Sequence, residues 1–202
     1  MADTGLLKKF LDSMLIDYEK WHDGVGYDLE ALRAMTGPDR QRAEDEIISR
    51  CGDDWRDMEA LAEMKTARAI QTLKKFLHRG KIGSRLAAAE YLHELGQLDD
   101  LGPVLEEALR TSAGDFSLFS RAMDLVAAHR PGVVLPTLLD IARSGEGVRA
   151  VNAAAMLFYL RGEAEEPFDW DRRPFFLRFA EPGEDRRAAF RELCETLKMY
   201  PR

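Results

Sequence analysis

Residues 83–96 read Gly-Ser-Arg-Leu-Ala-Ala-Ala-Glu-Tyr-Leu-His-Glu-Leu-Gly. This segment predicts a short helix that begins at Ser84 and Arg85 and is ended by Gly96. Three consecutive alanines lie in its middle, and side chains this small allow a second helix to approach closely. The segment therefore predicts one member of a tightly packed pair of helices.

The same pattern returns twice further along the chain. Residues 120–129 repeat the Ser-Arg start and end on a histidine at the same offset, and residues 148–157 repeat the arginine and the alanines. Pro103 and Pro136 lie 33 residues apart and open the leucine-rich helices between these segments, as proline does in a first helical turn. Such a repeat predicts stacked helical hairpins, because one hairpin cannot bury both of its apolar faces alone.

These repeats resemble the HEAT-repeat family, whose second helices open with Val-Arg and continue with alanines and Leu-Gly. Residues 148–155 and 85–96 match that pattern, and the resemblance covers residues 65–162. It implies an all-α fold, a short right-handed superhelix of paired helices in a single domain. Residues 1–64 and 163–202 would then be atypical N- and C-terminal capping segments, which hide the last apolar faces of such an array.

The resemblance also implies a function. Second helices usually line the concave wall of a HEAT array, so a protein or peptide partner is expected against Arg85, Glu90, Asp124 and Asn152. The sequence shows no complete catalytic signature and no cofactor motif, which favours a binding protein over an enzyme. An adaptor, or an immunity protein that neutralises a basic toxin, is the expected role by analogy.

Composition narrows the class of partner. The 202 residues carry a net charge of −7 with 46% apolar residues, which favours a basic protein partner and disfavours a general nucleic-acid binder, for which no lysine- or arginine-rich stripe is apparent. No apolar run is long enough to span a membrane. Two distant cysteines and no signal peptide predict a cytoplasmic location, and the oligomeric state, monomer or homodimer, stays open.

Helical spacing and capping residues predict the remaining elements. They are helices at Leu6–Trp21, Tyr27–Met35, Pro38–Arg50 and Trp55–Met64, a helix capped by Thr66, an irregular segment after residue 163, and a last helix at Glu184–Met199.

Residues 18–28 form the densest cluster of side chains able to do chemistry, with Trp21 and His22 at its centre. Histidine beside acidic residues can orient a proton transfer. The alternative, which we favour, is a tight turn between helices, capped by Asp23 or Asp28, with Trp21 packed on the array. Specific metal motifs carry two spaced His or Cys ligands, and this segment has one histidine, so no metal is expected.

Residues 168–173 form a second cluster, which contains Asp169, Trp170 and Asp171. Tryptophan and arginine are common interface anchors, so this segment is either a binding surface or a loop whose rings cover the last repeat.

Asp124 and Asn152 interrupt the alanine pattern at the same offset in two repeats. A buried polar side chain needs a partner. Two arrangements remain open, namely a hydrogen-bond ladder with neighbouring helices or with Arg121 and Arg149, and a position in a groove that contacts a ligand.

Two enzyme families share the HEAT architecture. The HEAT-like DNA glycosylases, which excise alkylated bases, are the alternative function, with Trp55, Asp169 and Trp170 as candidate residues. The deoxyhypusine hydroxylases bind iron through several His-Glu pairs, whereas this chain has one, at residues 93–94, so no iron is expected.

Overall fold

The computed structural model describes residues 4–199, and within that range the chain forms thirteen α-helices and one 3-10 helix, with no β-strand. This confirms the predicted all-α class. The chain divides between Asp100 and Leu101 into two compact units. None of the helices in the described range is long and apolar enough to cross a lipid bilayer.

The first unit is built on two helical pairs. Its helices are α1 Thr4–Ser13, α2 Tyr18–His22, α3 Leu29–Ala34, α4 Gly37–Arg50, α5 Trp55–Met64, α6 Ala67–Arg79 and α7 Ile82–Glu94. Helix α4 packs with α5 and α6 packs with α7, while α4 also contacts α6 and α5 contacts α7. Helices α1 and α3 cover α4 and α5. Most of the buried apolar residues of this unit belong to one hydrophobic cluster.

Side-chain caps explain where several of these helices begin. Asp28 accepts a hydrogen bond from the Ala31 amide at 2.8 Å, and Thr66 accepts one from the Ala69 amide at 3.1 Å. Asp54 caps α5 in the same way. Because the first amides of a helix lack intrahelical acceptors, each cap selects the starting residue. The predicted starts after Asp54 and Thr66 are confirmed.

The predicted N-terminal helix over Leu6–Trp21 is wrong. Helix α1 ends at Ser13, and a separate five-residue helix, α2, begins at Tyr18. Asp17 accepts a hydrogen bond from the Lys20 amide and so caps a new helix. The Ser13 hydroxyl donates to the Phe10 carbonyl and accepts from the Asp28 amide. These side-chain bonds, two of them local and one from Asp28, compete with helix continuation, and the apolar spacing alone does not reveal them.

The second unit repeats the paired arrangement. Its helices are α8 Gly102–Thr111, α9 Phe116–His129, α10 Leu135–Ser144, α11 Gly147–Leu160, α12 Arg173–Leu177 and α13 Glu184–Leu197, with a 3-10 turn at Gly132–Val134. Helix α8 packs with α9 and α10 packs with α11; in addition, α8 contacts α10 and α9 contacts α11. Pro103 and Pro136 occupy the first turns of α8 and α10, as predicted.

Helix α9 begins four residues earlier than the Ser120 start that the repeat predicts. Asp115 accepts a hydrogen bond from the Leu118 amide at 3.0 Å, which caps the helix at Phe116. The earlier start matters for the site described below, because it adds one turn that carries Phe116, whose side chain is 57% exposed.

Phenylalanine rings close the C-terminal end of the second unit. Phe158 of α11 makes edge-to-face contacts with Phe175 and Phe176, at ring-centroid distances of 5.6 and 5.5 Å. Phe176 and Phe179 are fully buried, and α13 packs on α10 and α11. The rings after residue 163 thus cover α11, which is one of the two roles predicted for this segment.

Candidate binding site

A groove in the second unit lies between α9 and α11. Its walls come from residues at helical spacing, Phe116, Ser120, Asp124 and Ala127 on α9 and Asn152 and Met156 on α11. Residues three or four positions apart share one face of a helix, so each helix contributes one continuous stripe. Pro167 and Phe168 form the end of the groove, whose cavity volume is about 170 Å³.

Asp124 and Asn152 both line this groove, which we call the α9–α11 groove. The alternative hydrogen-bond ladder through Arg149 does not form. Arg149 instead donates to the Leu109 carbonyl and the Ser112 hydroxyl, both at 3.1 Å, and lies over the Phe119 ring. Asp124 is exposed and Asn152 is half-buried. The polar interruptions of the alanine pattern therefore face the groove.

The acidic loop, residues 163–172, borders the α9–α11 groove. Glu165, Glu166, Asp169, Trp170 and Asp171 surround a recess of about 310 Å³. The side chain of Trp170 is 69% exposed. A cationic group over this indole would gain both cation–π attraction and the field of the surrounding carboxylates.

Two sets of contacts hold the acidic loop in place. The Phe168 ring contacts Trp170 at 5.1 Å and the buried Phe176 at 5.5 Å, which ties the loop to the core. Asp169 accepts a hydrogen bond from the Asp171 amide at 3.0 Å and pairs with Arg172 at 3.2 Å. Since Phe168 also ends the α9–α11 groove, groove and loop form one continuous surface.

The structure therefore unites five of the residues predicted from the sequence. Asp124 and Asn152 lie in the groove, and Asp169, Trp170 and Asp171 lie in the loop. Sequence reasoning missed the apolar lining, in particular Phe116, Met123, Met156 and Pro167. The i, i+4 spacing of Phe116 with Ser120 and Asp124, read together with Asp115 as a cap, would have predicted only Phe116.

Trp21 and His22 lie on α2 in the first unit, where no side chain of that helix is buried. The predicted packing of Trp21 is wrong, because its side chain is 64% exposed and contacts Tyr18. His22 bonds to the neighbouring Asp23 through Nδ1 at 3.0 Å. The predicted cap at Asp28 is confirmed.

Buried polar groups underneath keep α2 in place. Arg56, which is 3% exposed, donates from Nε to the Val25 carbonyl at 2.6 Å and from a terminal nitrogen to the Lys20 carbonyl at 3.4 Å. Tyr27 donates to Asp57 at 2.9 Å, and burial raises the pKa of the Asp57 carboxyl.

Arg85 and Glu90 lie on α7, are half-buried, and do not line the α9–α11 groove. Arg85 donates from Nε to the Leu77 carbonyl at 3.0 Å. Trp55, the other residue named for a glycosylase, lies in the first unit with the Arg56 guanidinium 4.8 Å above its ring. One face of its indole is thus covered.

The described residues do not support a metal-binding site. Between residues 4 and 199, no group of three or more His, Cys, Asp or Glu side chains is placed to hold a metal ion. His93 bonds through Nδ1 to the Leu98 carbonyl at 2.8 Å. Burial raises the pKa of the Cys51 thiol to about 12, so this thiol stays protonated and unreactive at neutral pH.

Comparison of the chain with protein-family models, with curated proteins and with solved structures finds no match. The case for a function therefore comes from the geometry of the chain itself.

Proposed function

We propose that this chain is a non-enzymatic, HEAT-like α-solenoid protein that binds a basic protein segment in the α9–α11 groove and along the acidic loop. The solenoid part of the proposal is supported by the packing in each unit, where first helices contact first helices and second helices contact second helices. That arrangement is typical of stacked helical hairpins.

One observation supports the binding role above all. An apolar groove, which Phe116, Met123 and Met156 line, is continuous with a loop that presents an exposed tryptophan among four carboxylates. Interface cores are apolar and aromatic, and charged rims select the partner. An apolar anchor with neighbouring lysines or arginines matches both parts of this surface.

The proposal is tested by site-specific cross-linking in cells. A photoreactive phenylalanine analogue replaces Phe116, at the rim of the groove, or Val133 as a control, which is 44% exposed and does not line the groove. We expect one basic protein to cross-link at position 116 and not at position 133. Equal yields at both positions, or no recurrent partner at position 116, would contradict the proposal.

Affinity measurements then define the contribution of charge. Titration calorimetry compares the recovered partner with the wild type and with Asp124→Lys. A reversed charge at a basic interface weakens binding about tenfold or more at low salt, and added salt reduces the difference. Both an adaptor and a toxin-neutralising immunity protein would bind a basic partner through such an acidic surface. The identity of the partner distinguishes the two roles.

The alternative DNA glycosylase draws no support from the surroundings of its candidate residues. Trp170 and Asp169 lie among Glu165, Glu166 and Asp171, and this negative field opposes the approach of phosphates. A gel shift with alkylated duplex DNA at low salt tests it directly. Salt-sensitive binding that the substitution Trp170→Ala removes would favour the glycosylase.

A further inference from the structure

The first unit contains a strongly basic segment. Residues 65–89 hold seven lysines and arginines and no aspartate or glutamate. Since the whole chain has a net charge of −7, the remainder carries −14. The prediction that no lysine- or arginine-rich stripe exists is therefore wrong. The net charge of the whole chain does not reveal this basic segment, because the excess of acidic residues elsewhere outweighs the local excess of lysine and arginine.

The structure places most of these charges on the outer side of α6. Ala69, Thr72 and Leu73 form the buried face of this helix, while four of the seven cations, Arg68, Lys74, Lys75 and Arg79, are exposed on it. Lys81 follows in the turn to α7 and pairs with Asp53 at 3.2 Å. Within residues 4–199, no carboxylate forms an ion pair with Lys75 or Arg79, so their charges are free to attract a partner.

A groove of about 370 Å³ lies between these cations. Lys75, Phe76 and Arg79 of α6 line it together with Asp53, Gly52 and Gly80. Phe76 is half-buried, and the two glycines contribute no side chain to fill the space. The α6 groove therefore offers an apolar surface flanked by lysine and arginine. An acidic segment with a large apolar side chain fits it.

We propose that the α6 groove binds the acidic loop of a second copy of this chain. That loop carries an exposed tryptophan, Trp170, among Glu165, Glu166, Asp169 and Asp171. Trp170 of one copy enters the groove over Phe76 of the other. The carboxylates of the same acidic loop then approach Lys75 and Arg79. Nucleic acid matches the groove less well, since a phosphate backbone offers no apolar anchor for the Phe76 surface.

This contact is heterologous, because two different surfaces meet. A dimer formed through one such contact leaves one groove and one loop unused, and further copies add to them. Self-association therefore increases with concentration and weakens with salt. The acidic loop also belongs to the surface of the proposed function, so a basic partner and a second copy compete for it.

Charge exchange tests the contact. Sedimentation velocity at low salt compares the wild type with the variants K75E/R79E and E165K/E166K, whose substituted residues are all exposed, and circular dichroism checks that both fold. We expect the wild type to self-associate and each variant alone to associate at least tenfold more weakly. An equimolar mixture of the two variants regains association, because the native acidic loop of K75E/R79E then meets the native basic groove of E165K/E166K.

Two results would overturn the inference. A wild type that stays monomeric at all concentrations, or a mixture of variants that fails to associate, excludes the contact. Duplex DNA that binds the wild type but not K75E/R79E, without self-association, assigns the α6 groove to nucleic acid instead. The proposed function is tested independently of this contact. If the α9–α11 groove binds the basic partner, K75E/R79E still binds the partner found by cross-linking, whether or not the chain self-associates.

Discussion

The two units hold an exposed tryptophan in place by different means. In the first unit, α2 presents Trp21 and buries no side chain of its own. The buried Arg56 holds it through backbone carbonyls, and the Tyr27–Asp57 bond lies nearby. In the second unit, Phe168 connects Trp170 to a cluster of buried rings. One segment depends on polar groups, and the other depends on packing.

This difference predicts different sensitivities. A buried charged group is tolerated only while its hydrogen-bond and ion-pair partners are present. Where such a group titrates, the free energy of unfolding depends on pH. A ring cluster has no titrating group, but it loses stability when volume is removed. Substitutions in the two regions should therefore be distinguishable by magnitude and by pH dependence.

The largest effect is expected from Phe176→Ala in the second unit. Phe176 is fully buried and contacts the rings of Phe158, Phe168 and Phe175. Loss of a buried phenylalanine ring costs about 3–5 kcal/mol of unfolding free energy. Urea unfolding measures the loss, with Phe116→Ala, at a 57% exposed position, as the control. Equal losses in both variants would show that the rings do not hold the loop.

A smaller loss is expected from Arg56→Ala in the first unit. Removal of this guanidinium leaves the Val25 carbonyl without its donor and Asp54 without its ion pair, which costs about 2–4 kcal/mol. Arg33→Ala is the matched control, because Arg33 pairs with Glu63 at a 55% exposed position and such pairs contribute at most about 1 kcal/mol. A loss for Arg56→Ala no larger than the control would contradict a role in holding α2.

The smallest effect is expected in the pH dependence of the unfolding free energy, for which Asp57→Asn is compared with Asp115→Asn. Burial raises the pKa of Asp57 in the folded protein, so its contribution to stability is full at low pH and is lost as pH rises through the native pKa. The hydrogen bond from the Leu118 amide lowers the pKa of Asp115, so its contribution is present at neutral pH and is lost as pH falls.

Urea unfolding from pH 3 to pH 7 measures both trends. Relative to the wild type, we expect Asp57→Asn to become more stable as pH rises and Asp115→Asn to become less stable. Parallel pH profiles for the two variants would show that the Asp57 carboxyl is not penalised by burial.

Local sequence signals predicted much of the fold. Asp54 and Thr66 set helix starts through side-chain bonds to nearby amides, and Pro103 and Pro136 mark first turns because proline lacks the amide hydrogen that those positions leave unpaired. Such signals act within four residues and are visible in a single chain. The break after Ser13 escaped prediction because one of its bonds comes from Asp28, fifteen residues away.

The candidate site was predicted only in part. Asp124 and Asn152 were predicted as candidates because they interrupt an alanine pattern, and Trp170 because tryptophan is a common interface anchor. No signal in the sequence placed the three residues close to one another. Their common surface depends on the packing of α9 against α11 and on Phe168, which ends the groove and contacts Trp170.

The sequence by itself determined the all-α class, most helix starts and the acidic character of the loop, because these follow from helical periodicity, capping and charge over short distances. Tertiary structure alone decided that Trp21 is exposed, that Arg149 donates to the Leu109 carbonyl, and that the cations of α6 flank a groove. These outcomes depend on which distant groups compete for each side chain, and only the packed helices bring those groups within reach.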